Sequence, residues 1–205
     1  MQKESSYPAL VSLGSHDLRT PLATIHGFVK TLERTAELAP PSDRYVQMIA
    51  EAAEQMKELL DELSLATRIE DGRYQPVLRE TDTLALARAA QERLGADHVR
   101  VSGEGASVVA DVEAVERAVY ALIRATRRHG GLDEVNVVVR GPRIEVSPVT
   151  EASSHVVLGQ DLRDFGAAVA VRAVETLGGT VSVDAGTLRI NLASDRTPTV
   201  RADGG

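Results

Sequence analysis

Residues 7–38 read YPALVSLGSHDLRTPLATIHGFVKTLERTAEL, and their periodicity decides the first half of the fold. Val11, Leu18, Leu22, Ile25, Val29 and Leu32 recur at spacings of three, four and seven, the pattern of an amphipathic helix with one buried face. Ala39, Pro40, Pro41, Ser42 and Asp43 break that helix and offer Ser42 or Asp43 as the N-cap of a second. The second helix is expected from about Asp43 to Ile69. Tyr45, Ala52, Leu59 and Ala66 form one line at seven-residue spacing, and Ile49, Met56 and Leu63 form another. At 1.5 Å per residue each helix is a rod roughly 40 Å long. One hairpin cannot surround its own apolar seam, so two hairpins are expected to pair as a homodimeric four-helix bundle.

Outward from the hairpin the pattern changes. Asp71 and Gly72 end the rod, and a boundary is expected over Arg73 to Arg79. Beyond it, short apolar runs alternate with helices. The expected elements are a helix over Asp82 to Leu94, strands over Val99 to Val101 and Ser107 to Ala110, and a helix over Val112 to Arg128. Strands over Glu134 to Arg140 and Arg143 to Val146, a helix over Leu162 to Leu177, and strands over Thr180 to Val183 and Thr187 to Leu192 follow. The expected domains are therefore a helical hairpin, 1–72, and an α/β sandwich, 80–193. The tail, 194–205, rich in Asp, Arg, Thr and Gly, is expected to be disordered.

Composition bounds the function. Of 205 residues, 43% are hydrophobic and 26% charged, as in a soluble globular protein. Thirty acidic residues against 23 basic give a net charge of -7, which opposes a duplex-binding surface. With no Trp and only two Phe, stacking platforms for single strands are missing too, so no nucleic-acid partner is expected. The absence of Cys excludes disulfides, thiolate metal sites and Cys nucleophiles. No run of about 18 apolar residues occurs, and the N-terminus lacks the apolar core of a signal peptide. A cytoplasmic protein without a membrane span is expected.

The chemistry concentrates in Ser15-His16-Asp17-Leu18-Arg19-Thr20-Pro21-Leu22. At 100° per residue His16 falls about 150° from the centre of the apolar stripe and faces solvent, where a neutral imidazole is a competent nucleophile toward phosphorus. Pro21 inside a helix costs roughly 3 kcal/mol and frees the carbonyl near Asp17, so a local bulge is expected beside His16.

This octapeptide resembles the H-box of bacterial sensor histidine kinases. The resemblance continues to Leu63-Ser64-Leu65-Ala66-Thr67-Arg68-Ile69-Glu70-Asp71-Gly72, similar to the end of that family's dimerisation and phosphotransfer domain. It implies that His16 accepts a phosphoryl group and that Asp17 assists its proton transfer. It further implies that Thr20 orients a water for dephosphorylation of the partner. Arg19 is a candidate phosphate or partner contact.

The resemblance also implies that the second domain is a GHKL/HATPase-like sandwich, and there the sequence departs from the family. Residues 111–128, DVEAVERAVYALIRATRR, resemble the nucleotide-binding helix, but Ala125 replaces the Asn that holds Mg²⁺ and Ala121 the first Asn. A methyl group cannot coordinate a hard cation. In Arg143 to Thr150, Pro148 and Thr150 stand where the Asp and Gly of the adenine-reading motif belong. In the Gly-rich helix start Gly166 is kept, but Asp164 brings a carboxylate to where phosphates would approach. Only about 16 residues separate Pro148 from Asp164, too few for a long ATP lid. The expectation is thus a degenerate ATPase-like module that binds neither ATP nor metal.

The function expected is a histidine phosphotransfer protein, or pseudo-histidine kinase. It would pass phosphoryl between His16 and the Asp of a response-regulator receiver domain that supplies the Mg²⁺. An active sensor kinase core with ATP-dependent autophosphorylation, and a scaffold or phosphatase that is not itself phosphorylated, are the alternatives. His26 reads as a boundary residue of the bundle; His98, His129 and His155 read as surface or helix-end residues without metal-ligand spacing.

Overall fold

The computed structural model describes residues 7–35, 38 and 40–193. The expected disordered tail lies outside them. The chain divides between Tyr74 and Gln75 into two compact units.

The first unit is a hairpin of α1 (Tyr7–Thr35) and α2 (Ser42–Glu70). Pro41, rather than Ser42 or Asp43, occupies the N-cap of α2, and Asp43 instead sits in the first turn, where its charge favours the helix dipole. At the other end Asp71 and Gly72 stop the helix. Gly72 adopts φ 65°, a left-handed conformation that glycine takes without a Cβ penalty.

The packing inside the hairpin differs from the expected seam. Leu22 and Val29 of the α1 stripe are buried, but Leu18, Ile25 and Leu32 are 56, 48 and 44% exposed. On α2 the predicted lines through Tyr45, Ile49, Met56 and Leu59 are exposed. On α2 the buried residues of this stretch are Ala50, Ala53 and Leu60, and Leu22, Ala53 and Leu60 form one buried cluster. The reason is size: alanines let two helices approach closely yet contribute little to a hydropathy pattern. The larger residues one face over carry the heptads and remain uncovered in the single chain.

The second unit runs β1 (Leu78–Asp82), α3 (Thr83–Leu94), β2 (Val99–Gly105), β3 (Ser107–Asp111), α4 (Val112–Gly130), β4 (Val135–Gly141), β5 (Arg143–Ser147), α5 (Glu151–Val157), α6 (Phe165–Thr176), β6 (Thr180–Asp184) and β7 (Thr187–Asn191). Five strands form one sheet in the order β2-β4-β5-β7-β6, in which only β2 and β4 are parallel. Strands β1 and β3 form a separate antiparallel ribbon. Alternation separates the two faces of the main sheet. Val135, Val137, Val139, Ile144, Val146, Leu188 and Ile190 are buried, whereas Asn136, Arg140 and Arg143 point to solvent. The apolar face is covered by α3, α4 and α6.

Aspartates start three of these helices, as Asx residues at N-caps should. Asp82, Asp111 and Asp164 accept from the backbone N–H of Ala85, Ala114 and Ala167 at 3.0, 3.3 and 3.0 Å. Three elements depart from the sequence reading. Strand β1 begins inside the stretch expected to be a linker, because its residues are mostly charged and exposed and carry no apolar alternation. Helix α5 is too short, at seven residues, to show a helical period. Helix α6 starts at Phe165 rather than Leu162. Among the described residues, no helix is long and apolar enough to cross a membrane.

The core predicts its own sensitivity. Leu122, on the inner face of α4, is fully buried. Leu122→Ala is expected to lower unfolding stability by about 2–5 kcal/mol, read as a lower urea midpoint with an unchanged slope.

Candidate functional site

On α1, His16 and Asp17 are the most open of the candidate residues, with side chains 77 and 69% exposed. His16 Nδ1 lies 3.3 Å from Asp17 Oδ1. In the neutral ring a carboxylate, which only accepts, pairs with Nδ1–H, and Nε2 then carries the lone pair. The carboxylate also offsets the positive charge that develops on the ring when Nε2 attacks an electrophile. Ser15, just before it, is buried, and its hydroxyl donates to the Val11 carbonyl at 2.8 Å.

Thr20 is exposed one turn further on, and its carbonyl accepts from Thr24 Oγ1 at 3.1 Å. The expected bulge is not there: α1 is α-helical without interruption through Pro21. Pro21 sits on the exposed side, so the carbonyl it deprives of a donor is accessible to water.

Arg19, expected as a phosphate or partner contact, is engaged inside the hairpin. One guanidinium nitrogen, Nη2, donates to Asp61 Oδ1 at 2.7 Å and Ser64 Oγ at 3.1 Å, and reaches the Leu60 carbonyl at 3.5 Å. No local pattern marks this partnership across 42 residues. Further along, His26 Nε2 lies 3.6 Å from Glu54 Oε2, a cross-helix contact suited to a boundary residue. Lys57 donates to Glu54 at 2.9 Å and holds that carboxyl below its ordinary value. Between the helices a groove of about 350 Å³ runs from Arg19 to Gly27 on α1 and from Ala53 to Asp61 on α2.

The second unit places the other candidates. Ala121 and Ala125 are buried on α4 within the hydrophobic core. Pro148 follows β5, and Val149 N–H donates to the Gly186 carbonyl at 2.7 Å. Thr150 forms a capping box with Ser153 at the start of α5, its N–H donating to Ser153 Oγ at 3.1 Å. The short helix α5 and residues 158–164 fill the interval in which a long lid was judged not to fit.

Asp164 and Gly166 lie at the N-terminus of α6, and both are buried. The Asp164 side chain is only 3% exposed. Its Oδ1 accepts the Ala167 N–H at 3.0 Å, its Oδ2 accepts from His129 Nε2 at 3.0 Å, and Arg124 Nη2 stands 3.9 Å away. An internal carboxylate thus takes the place at the helix N-terminus that favours an anion, and two basic side chains of α4 close over it. His129, expected to be an ordinary helix-end residue, is a partner in this cluster. Nothing in the sequence joins two residues 35 apart. Arg124 also lies 5.6 Å from the Tyr120 ring centroid, whose face carries Arg93 at 3.8 Å. Among the described residues, no group of three or more His, Cys, Asp or Glu side chains could hold a metal ion.

Asp164→Ala is expected to destabilise the second unit by at least the about 0.5–2 kcal/mol of a lost N-cap, because His129 and Arg124 lose their counter-charge at the same time. Chemical denaturation compared with Asp164→Asn measures it, since the amide keeps the cap and removes the charge.

Comparison with known proteins finds a family match for the hairpin and a fold match for the chain. Residues 10–72 match the family described as His Kinase A (phospho-acceptor) domain. The match is confined to the hairpin, which is similar to that phospho-acceptor domain. Among solved structures, full-length ShkA, in complex with AMPPNP, has a TM-score of 0.62 at 17% identity over 92% of this chain. The Acinetobacter baumannii histidine kinase AdeS has a TM-score of 0.57 at 15% identity, over 88% of this chain and 98% of its own. The chain spans 47% of the length of ShkA. At these identities the likeness is one of fold: a helical hairpin followed by an α/β unit. No curated protein matches the sequence.

Proposed function

We propose that the chain is a histidine phosphotransfer protein that exchanges phosphoryl between His16 and the phospho-aspartate of a receiver domain, without using ATP. The observation that carries this reading is the exposed His16–Asp17 pair, whose 3.3 Å contact presents Nε2 to solvent. In the transfer, Nε2 attacks phosphorus and the bond from phosphorus to the aspartyl oxygen breaks. The receiver's carboxylate leaves, and Asp17 holds the Nδ1 proton. Mg²⁺ comes with the receiver. Thr20, one turn after His16, would orient a water that attacks the receiver's aspartyl phosphate, releasing inorganic phosphate and the free carboxylate. The groove between α1 and α2, one turn from His16, gives a receiver helix a place to lie.

The second unit supports the absence of ATP chemistry. A Mg·nucleotide needs an oxygen ligand where Ala125 is buried, an adenine acceptor where Pro148 stands, and an open helix N-terminus where Asp164 is enclosed. The residues present do not fit it. The exposed heptads of α1 and α2 support a homodimer, since two hairpins facing one another would cover Leu18, Ile25, Met56 and Leu59 together. Such a protein works in the cytoplasm beside its receiver.

The test is to incubate the full chain with a panel of phosphorylated receiver domains and map acid-labile label. Label on His16 from at least one receiver is expected. Label on no receiver's addition, with tight receiver binding, would replace this reading with that of a scaffold.

A further inference from the structure

We infer that Arg19 is a phosphorylation-sensitive latch: a phosphoryl group on His16 draws its guanidinium away from Asp61 and Ser64, and so loosens α2 from α1 at the level of the acceptor. The inference rests on His16 being the acceptor. It starts from a juxtaposition. Arg19 is three residues after His16 on an unbroken helix, so their side chains are neighbours, with Cβ atoms about 5–6 Å apart. The same guanidinium holds α2 through three acceptors, all of them on one nitrogen, Nη2. Its bond to Asp61 is partly exposed, with side chains 42 and 34% open, and an ion pair of that kind is weak enough to exchange.

The competition has a defined sign. An unmodified His16 carries no anion, so Arg19 stays with Asp61. A phosphoryl group carries up to two negative charges and three strong acceptor oxygens, against one charge on the carboxylate. When Arg19 leaves, Asp61 is not stranded, because Lys57 lies one turn before it on α2, at i-4. No comparable second cation is within one turn of His16 on α1, where the next basic side chain after Arg19 is His26.

The experiment loads His16 with phosphoramidate: its P–N bond breaks, ammonia leaves and the Nε2–P bond forms. Intact mass against His16→Ala confirms the modification, and ³¹P NMR follows the titration of the phosphohistidine. A nearby guanidinium lowers that apparent pKa. Arg19→Ala is expected to raise it by about half a unit, the size of a surface ion pair. Ser64→Ala removes a competing acceptor without changing any charge, and is expected to lower it. In the Arg19→Ala background Ser64→Ala is expected to have no effect, whereas a purely structural role for the bridge would move neither titration. An unchanged titration in Arg19→Ala, or in Ser64→Ala, would overturn the latch while leaving the acceptor in place. No phosphoryl on His16 at all would overturn both.

Discussion

If the proposed homodimer forms through the uncovered heptads, charging them is expected to convert it to monomer. Ile25 and Met56 are 48 and 51% exposed in the single chain, one on each helix of the hairpin. Both continue seven-residue rows, with Leu18 and Leu32 on α1 and with Ile49 on α2. Apolar rows of this length on a soluble surface mark an interface. In a symmetric pair each Ile25→Glu, Met56→Glu chain would bring two carboxylates to the seam, four in all, with no basic partner in those rows. Burying an unpaired charge costs several kcal/mol. At about 1.4 kcal/mol per factor of ten, the dissociation constant is expected to rise by a thousandfold or more. Sedimentation equilibrium reads this directly. Because neither residue belongs to the Leu22, Ala53, Leu60 cluster, the hairpin's helicity by circular dichroism should change little. A variant that stays dimeric would place the interface elsewhere.

The second large effect is at the acceptor. His16→Ala should abolish acid-labile label from a phosphorylated receiver, because no other histidine has the same arrangement. His26 is tied across to Glu54, His98 Nδ1 meets the Asp133 carbonyl, His129 is enclosed with Asp164, and His155 meets Gln160. Asp17→Asn should act differently. The amide can orient the ring but cannot offset the charge developing on it, so a loss of about 10²-fold in transfer rate is expected, within the range for a positioned acid or base. Quench-flow transfer kinetics from one cognate receiver separates the two. His16→Ala with undiminished label would move the acceptor to another residue.

Much of this was legible in the sequence, and the misses have physical causes. The two helices of the hairpin and most of the strands declared themselves through apolar period and turn residues. The face of α2 turned to α1 was missed because Ala53, which shares the buried cluster with Leu22 and Leu60, is nearly silent in any hydropathy pattern. Helix α5 escaped because seven residues hold too few periods, and β1 because an exposed, charged strand in a two-stranded ribbon has no apolar alternation. At the site, His16 could be placed on the open face of α1 from helical geometry alone. The Asp164 carboxylate could be expected at the start of α6 from its position, but not His129 and Arg124 around it. The Arg19 bridge to Asp61 was equally hidden: contacts between residues distant in the chain leave no local mark.

The most direct measurement compares donors. The full chain is incubated in parallel with γ-labelled Mg·ATP and with phosphorylated receiver domains, and label on His16 is followed in each, with His16→Ala as control. Label arriving from a receiver and none from Mg·ATP is the predicted result. Label arriving from Mg·ATP would contradict it, and would mean that the second unit opens around Asp164 to hold a nucleotide after all.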